Sequence, residues 1–224
     1  DYLIAANGEQ PLAGPFQRPR PKDQPGQARW VSFVSVQDVG RAELAVTAAG
    51  GTVLIPAQDF PRRGRQAVFA DPEGALLGVL HSRSGDPDDY LPEPGDWIWI
   101  QLLTRNGERA ARFYESLGGY RAIANPTSDA ASNFLLVTGG YARAAMTSIP
   151  PQSDQIKPSW LPFVRVTSVS ESVAKAKQLG GKVLIEPAPS LADGKVAVVA
   201  DPTGAAIGLL EWSGTAAAEG RAAQ

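Results

Sequence analysis

Residues 30–80 and residues 160–210 are two copies of one sequence module, and they align without a gap at an offset of 130 residues. Twenty of the 51 paired positions are identical, whereas unrelated chains of ordinary composition match at roughly one position in fifteen. The segment GGTVLI aligns with GGKVLI, and FADPEG aligns with VADPTG. A duplication with so long a period predicts homologous domains in tandem rather than a solenoid of short repeats.

The periodicity within each copy predicts the element order βαβββ. In the second copy, a strand precedes Ser168 and Glu171, which have the spacing of a helix capping box. An apolar stripe then ends at two glycines, as in a helix with a left-handed C-terminal cap; it comprises Val169, Val173, Ala176 and Leu179. Three strands complete the module, over residues 183–185, 195–200 and 206–212.

A weaker third copy lies between the two strong ones. Its predicted helix is capped by Asn106, and its predicted strands cover residues 97–104, 120–124, 134–138 and 142–148. The first 16 residues resemble the last hairpin of such a module, so we expect a fourth module without its first strand, helix and second strand. The predicted organisation is an incomplete first domain (1–84), a linker (85–95), a complete second domain (96–213) and a tail (214–224).

The missing half-module has a predicted consequence for assembly. A first domain without those elements exposes a sheet edge and apolar surface, which invites pairing with another chain. We therefore expect either that a longer protein supplies the missing part or that a partner does, with a homodimer through the open edge of the first domain as the candidate assembly.

Composition narrows the classes of partner and site. The net charge is −2, with acidic and basic residues interspersed, so the sequence gives no electrostatic sign of nucleic-acid binding. No run approaches 18 apolar residues, which predicts no membrane span. The chain has no cysteine, which excludes disulfides, thiolate zinc sites and a cysteine nucleophile. The compartment stays unknown: the cytoplasm is the default expectation, and the periplasm is the alternative because any leader would precede residue 1.

Three segments resemble the vicinal oxygen chelate superfamily, which includes glyoxalase I, bleomycin-resistance proteins and extradiol dioxygenases. The segment WIQLLTRNGERAARFYESLGGY is similar to that family's first strand and its helix, and FADPEG and VADPTG are similar to its D-P-x-G turn. The resemblance implies an α+β fold in which paired βαβββ modules form curled mixed sheets around a cavity. It does not select a function, because the superfamily spans lyases, epimerases, dioxygenases and non-catalytic binders.

The resemblance also implies where a metal would bind. Family ligands are His, Gln or Glu at the start of each first strand and on the last strands, since a divalent cation needs nitrogen or carboxylate donors. The corresponding positions here are Val31, Gly78, Trp99, Leu161 and Gly208. The strand at residues 143–146 offers no carboxylate or imidazole either. We therefore predict that the family's metal site is lost, and we predict no other cofactor and no catalytic residue.

Polar residues near these positions have simpler interpretations. His81 and Glu211 lie three residues beyond Gly78 and Gly208, on the opposite face of a strand with period 2. We expect them to be ordinary strand-end residues. A cluster of three aspartates at residues 86–89 has the residue type for calcium, but its Pro-containing linker favours a solvated segment.

Strand alternation predicts an aromatic and apolar cavity in the second domain. The predicted lining residues are Trp97, Trp99, Gln101, Arg143, Phe163, Arg165 and Trp212. Such a lining is typical of a small-molecule pocket, although aromatic residues also fill cores. An arginine in apolar surroundings needs an anion or a carbonyl. We therefore expect an aromatic carboxylate that stacks on Trp99 or Trp212 and is held by Arg165; the alternative is a hydrated arginine at the cavity mouth.

Three functions follow from these observations. The favoured one is metal-independent binding of a small aromatic or anionic molecule in the second-domain cavity. The second is an enzyme, either a metal-dependent glyoxalase-like lyase or a dioxygenase-like enzyme, with ligands at other positions. The third is a structural or interaction module. A metal analysis separates the first two, and the presence of a cavity separates both from the third.

Overall fold

The computed structural model describes residues 3–14, 28–61, 63–125 and 133–213. This part of the chain contains three α-helices of ten residues each: α1 (Val39–Ala48), α2 (Gly107–Ser116) and α3 (Val169–Gln178). A short 3-10 turn covers Ala192–Gly194. Within these ranges, no helix is long and apolar enough to cross a membrane.

The strands and helices follow one another in the order that the module pattern predicts. They are β1 (Ala5–Asn7), β2 (Gln10–Ala13), β3 (Phe33–Ser35), β4 (Thr52–Phe60), β5 (Gly64–Ala70), β6 (Leu76–His81), β7 (Trp97–Thr104), β8 (Arg121–Ala124), β9 (Phe134–Thr138), β10 (Tyr141–Ser148), β11 (Ser159–Val166), β12 (Lys182–Ile185), β13 (Val196–Ala200) and β14 (Ala206–Glu211). Three βαβββ modules are therefore present, preceded by the β1–β2 hairpin.

The four strands of each module pair in the same order. The orders are β3-β6-β5-β4, β7-β10-β9-β8 and β11-β14-β13-β12. The first and last strands of each module run parallel, and the remaining pairs are antiparallel. These mixed sheets with few helices confirm the predicted α+β class and the βαβββ repeat.

Local sequence signals explain where the helices begin and end. The side chains of Asp38, Asn106 and Ser168 accept hydrogen bonds from the backbone N–H three residues later, at 3.0, 2.9 and 3.3 Å. These contacts satisfy N–H groups that have no partner within the helix. After α3, Gly180 has a φ of +83°, a conformation that glycine adopts without strain. The predicted caps are confirmed.

Contacts between Cα atoms group the described residues into two compact units. The first unit contains residues 3–14, 28–30, 91–99 and 162–213, and the second contains the described parts of 31–90 and 100–161. The second unit therefore joins the module that begins at β3 to most of the module that begins at β7. This grouping differs from the predicted domains, 1–84 and 96–213, whose boundaries stay a prediction. The predicted tail at 214–224 lies outside the described residues.

Each unit has its own apolar core. In the second unit α1 and α2 pack on one core, in which Val46, Val79, Leu102 and Met146 are fully buried. Burial of a side chain of this size stabilises a fold by about 1.5–3 kcal/mol. The core of the first unit is smaller and lies between α3 and its sheet; it comprises Val169, Val173, Ala197, Val199 and Leu209.

The cap of α2 gives a test of the helix assignment. We expect Asn106→Ala to lower the free energy of unfolding by about 1 kcal/mol, because the N–H of Arg109 loses its acceptor. Asn106→Asp keeps an acceptor oxygen at the same position and is expected to retain the wild-type value. Urea unfolding of the three proteins measures both effects. Equal losses in the two variants would contradict this assignment of the cap.

Candidate functional site

The second compact unit contains a partly open cavity of about 180 Å³. Four of its lining residues are aromatic, and most of the others are aliphatic. The lining comprises Ser32, Phe33, Val34, Leu77, Ile100, Tyr114, Leu117, Tyr120, Leu136, Arg143, Ala144 and Trp160. The composition is that of a small-molecule pocket, apolar with a few polar groups.

Both modules of the second unit contribute to the cavity wall. Phe33 and Val34 come from β3, and Leu77 comes from β6. The module that begins at β7 adds residues from β7, β9 and β10, and Tyr114 and Leu117 from the end of α2. The cavity therefore depends on how these two modules pack together.

A buried hydrogen-bond network fixes one side of the cavity. The hydroxyl of Tyr114 donates to Oδ2 of Asp71 at 2.9 Å and accepts a hydrogen bond from Nε1 of Trp160 at 2.9 Å. The rings of Tyr114 and Trp160 meet edge to face, with centroids 5.1 Å apart. Oδ1 of Asp71 accepts two backbone hydrogen bonds, from Glu73 and Ala75, both at 2.9 Å. These contacts hold Tyr114 and Trp160 in place, and both residues line the cavity.

Burial changes the proton affinity of this network. Desolvation raises the pKa of Asp71, although the backbone N–H groups of Ala75 and Glu73 and the Tyr114 hydroxyl act in the opposite direction. Desolvation also raises the pKa of Tyr114 well above its usual value, and the neighbouring Asp71 carboxylate adds to this effect. Tyr114 therefore remains a neutral hydroxyl that can donate to Asp71.

A second polar group lies at the exposed side of the cavity. The guanidinium of Arg143 contacts the carboxylate of Asp89 through two hydrogen bonds, of 2.5 and 2.8 Å. It also lies over the ring of Tyr141, 5.4 Å from the centroid. The hydrogen bond from Arg143 holds the pKa of Asp89 below its usual value, so Asp89 is a carboxylate at neutral pH. Burial raises the pKa of the nearby lining residue Tyr120.

The structure places the predicted lining residues in different surroundings. Arg143 lines the cavity of the second unit. In the same unit, Gln101 donates from Nε2 to Oγ1 of Thr147 at 2.8 Å. The other five predicted residues belong to the first unit; they are Trp97, Trp99, Phe163, Arg165 and Trp212.

Among those five, the structure brings Arg165 and Trp212 together. The guanidinium of Arg165 lies 5.2 Å from the Trp212 ring centroid, and its Nη1 donates to the carbonyl of Pro92. Arg165 therefore already has a carbonyl and an aromatic partner from the protein. Trp97 donates from Nε1 to the carbonyl of Leu12 at 2.9 Å and meets Trp30 edge to face. Ligand contacts of these residues stay a prediction.

The described residues do not fit the metal site that the family resemblance implies. Within the described ranges, no group of three or more His, Cys, Asp or Glu residues lies close enough together to hold a metal ion. At the predicted last-strand positions, Gly78 is paired with Phe33 and Gly208 with Phe163 on neighbouring parallel strands. A Cβ added to either glycine would overlap the ring of its phenylalanine. An aromatic ring therefore occupies the space that a ligand side chain would need.

The two polar residues beyond these glycines support local structure. Nδ1 of His81 lies 3.1 Å from the carbonyl of Val36, so this nitrogen is the donor. Oε2 of Glu211 accepts from the N–H of Val169, the first residue of α3, at 3.2 Å. Both contacts agree with the interpretation of His81 and Glu211 as strand-end residues.

The sequence does not predict the hydrogen bonds that join Asp71, Tyr114 and Trp160. Asp71 lies in the D-P-x-G turn and Tyr114 in the predicted helix that follows Asn106, and the sequence alone does not place the two together. They are 43 residues apart in the chain. A polar residue in an otherwise apolar stripe was the available signal, since a buried tyrosine hydroxyl usually has a partner.

Comparison with known proteins places these features in a family context. The family model described as the Glyoxalase/Bleomycin resistance protein/Dioxygenase superfamily matches residues 98–209. The Mycobacterium bovis protein named "Putative glyoxylase CFP32" is 30% identical over 210 residues, which cover 93% of this chain and 79% of the relative. The "Anthracycline biosynthesis protein DnrV" of Streptomyces peucetius is 30% identical over 225 residues, which cover 93% of this chain and 76% of the relative.

Solved structures share the fold at low sequence identity. Homoprotocatechuate 2,3-dioxygenase from Brevibacterium fuscum has a TM-score of 0.52 and 12% identity, and the match covers 84% of this chain and 64% of that one. The 2,3-dioxygenase LapB from Pseudomonas sp. KL28 has a TM-score of 0.50 and 15% identity, with coverages of 79% and 68%. At such identities the similarity concerns the fold alone.

The buried carboxyl gives a prediction about pH. Because the pKa of Asp71 is raised in the folded state, the folded protein binds more protons than the unfolded one, and stability falls as pH rises through that pKa. Asp71→Asn removes this titration and keeps an oxygen for the two backbone N–H groups. We therefore expect the stability of the variant, relative to wild type, to increase as pH rises from about 4 towards neutral. Urea unfolding across that pH range measures the difference.

The equivalent turn in the duplicated module supplies the control. Some burial acts to raise the pKa of Asp201, but hydrogen bonds from the Thr203 side chain and from backbone N–H groups lower it overall. Its contribution to stability is therefore present above the unfolded pKa and lost as pH falls. Asp201→Asn is expected to show the opposite pH trend to Asp71→Asn. The same trend in both variants would contradict the assignment.

The phenylalanine–glycine pairs give a second prediction. Phe163 is buried, with 6% of its surface exposed, whereas Phe33 is 47% exposed and is able to turn outward. We expect Gly208→Ala to lower the free energy of unfolding by about 1–3 kcal/mol, the usual cost of overpacking, and Gly78→Ala to cost less. Adding Phe163→Ala to Gly208→Ala should cost less than the sum of the single changes. Urea unfolding measures these values, and strict additivity would refute the overlap.

Proposed function

The chain belongs to the glyoxalase/bleomycin resistance protein/dioxygenase superfamily, and on that premise we propose that it binds a small aromatic molecule in the cavity of the second compact unit. The observation that carries the proposal is the cavity itself, whose wall contains Phe33, Tyr114, Tyr120 and Trp160. Aromatic rings prefer edge-to-face or offset contacts with one another, so such a wall favours a planar ligand. Binding would come from burial of apolar surface rather than from coordination to a metal.

The cavity volume limits the size of the ligand. A dry protein cavity of about 150 Å³ is enough to bind benzene, and drug-sized pockets are about 300–1,000 Å³. The volume here is about 180 Å³. The proposed ligand is therefore a single substituted ring rather than a fused polycyclic compound.

The names of the relatives agree with a small-molecule role without defining the ligand. One relative is named for anthracycline biosynthesis, and anthracyclines contain aromatic rings. A complete four-ring anthracycline is larger than the cavity, so the proposal concerns a single-ring compound. This difference in size is a reason to test small probes first.

A metal-dependent lyase or dioxygenase is the second candidate function. The relative named as a glyoxylase favours it. The described residues give it no set of metal donors, since the predicted positions carry glycine, tryptophan and aliphatic side chains. Metal analysis of the purified protein, followed by titration with Mn²⁺, Fe²⁺ and Ni²⁺, separates the two candidates. Stoichiometric metal would favour the second candidate.

Filling the cavity tests the binding proposal. Ala144 is buried and lines the cavity, so Ala144→Leu puts about three further carbons into a space that holds a single ring. We expect phenol and toluene to bind the wild-type protein and raise its melting temperature, as any ligand of the folded state does. We expect both effects to disappear in Ala144→Leu. Isothermal titration calorimetry and thermal unfolding measure them.

The matched control is Ala48→Leu, which adds the same side chain to an exposed position of α1 outside the cavity lining. It should bind the probes as the wild-type protein does. Circular dichroism of Ala144→Leu checks that the variant is folded. Unchanged binding in a folded Ala144→Leu protein, or no binding of any aromatic probe to wild type, would refute the proposal.

A further inference from the structure

Arg143, a cationic residue in the lining of the cavity, is paired with the carboxylate of Asp89. Arg143 contacts Asp89 through both of its terminal nitrogens, Nη1 to Oδ1 at 2.5 Å and Nη2 to Oδ2 at 2.8 Å. Asp89 lies in the segment between β6 and β7, and its side chain is 65% exposed. The arginine that lines the cavity is therefore already bound to a carboxylate, and that carboxylate comes from an exposed segment.

This geometry is the one in which arginine recognises a carboxylate ligand. The planar guanidinium presents two parallel N–H groups that match the two oxygens of a carboxylate. An exposed ion pair contributes little to stability, because water screens it and both side chains lose freedom. The Arg143–Asp89 pair therefore has the bidentate geometry but contributes little free energy. A ligand carboxylate whose ring also fills the cavity would compete effectively with Asp89.

We propose that the ligand is an aromatic carboxylate whose ring enters the cavity and whose carboxylate replaces Asp89 on Arg143. The inference rests on the proposed function, because it needs the ring in the cavity. It assigns the anion contact to Arg143 instead of Arg165, which belongs to the first unit and is held by Pro92 and Trp212.

Two neighbouring aromatic residues support this role of Arg143. The Tyr141 ring lies 5.4 Å from the guanidinium carbon, so a cation–π contact helps to hold the arginine when Asp89 leaves. Tyr120 lines the cavity and is partly buried. It is close enough to Arg143 for the positive charge to lower the pKa of its hydroxyl, against the larger effect of burial. A ring in the cavity and a carboxylate on Arg143 are therefore compatible with one small molecule.

Benzoate and benzamide provide the matched pair of probes, because they share one ring and nearly one shape but differ in charge. We expect benzoate to bind the protein about tenfold or more tightly than benzamide, as for a hydrogen bond to a charged group. In Arg143→Gln this preference should disappear, because no guanidinium remains to hold the carboxylate of benzoate. In Asp89→Asn the affinity for benzoate should increase several-fold, because the competing carboxylate is gone. Isothermal titration calorimetry measures all six dissociation constants.

Control variants separate this contact from a general effect of charge. Arg112→Gln and Asp59→Asn remove the same charges from other exposed ion pairs, Arg112–Glu108 and Asp59–Arg65. Neither residue lines the cavity, and neither change should alter the benzoate preference.

Each outcome tests a defined step. If neither probe binds the wild-type protein, the proposed function fails and this inference fails with it. If both probes bind with equal affinity, the cavity binds aromatic molecules but the carboxylate contact is overturned. If the preference for benzoate survives Arg143→Gln, Arg143 does not bind the carboxylate. If Asp89→Asn leaves the affinity for benzoate unchanged, Asp89 does not compete for the ligand site. Either result shows that the inference is wrong.

Discussion

The buried contact between Asp71, Tyr114 and Trp160 determines the form of the candidate site. It joins a turn between two strands, the end of a helix and the start of another strand, which are 43 and 46 residues apart in the chain. A buried carboxylate is costly unless its oxygens are hydrogen-bonded, and here both oxygens of Asp71 have partners. Because Tyr114 and Trp160 both line the cavity, the same bonds that satisfy the carboxylate also set the position of the cavity wall.

The duplicated modules show how one sequence pattern acquires two roles. Asp71 and Asp201 occupy the same turn, and each accepts hydrogen bonds from the backbone N–H groups two and four residues later. Asp71 is 6% exposed and has the Tyr114 hydroxyl as a third partner, whereas Asp201 is exposed and has the Thr203 hydroxyl. Burial therefore raises one pKa, and hydrogen bonding lowers the other. The module sequence therefore determines the turn, and the residues that pack against the turn determine the pKa of its aspartate.

This distinction explains what the sequence predicts and what it does not. The βαβββ order and the helix ends depend on residues that are close in the chain. The spacing of Ser168 and Glu171 is sufficient to predict the start of a helix, and a pair of glycines is sufficient to predict its end. The cavity depends instead on which modules pack together, and five of the seven residues predicted to line a cavity of the domain 96–213 belong to the other compact unit. Arg143 is the predicted residue that lines it, and its partner Asp89 lies in a segment interpreted from composition as a solvated linker.

Among the described residues, the two phenylalanine–glycine pairs stand where the family's metal ligands are expected, and they make the space around them apolar. Carboxylate and imidazole ligands directed into an apolar space would be unpaired in the absence of an ion, which is costly. A glycine on one strand with a phenylalanine ring from the next removes that cost and fills the space, at Gly78 in one module and at Gly208 in its duplicate. With Phe33 as part of the wall, the proposed binding in the second unit would come from apolar contact with the ring of a ligand. In the proposed binding mode, the polar contact lies at Arg143, whose side chain is 38% exposed and whose carboxylate partner Asp89 is 65% exposed.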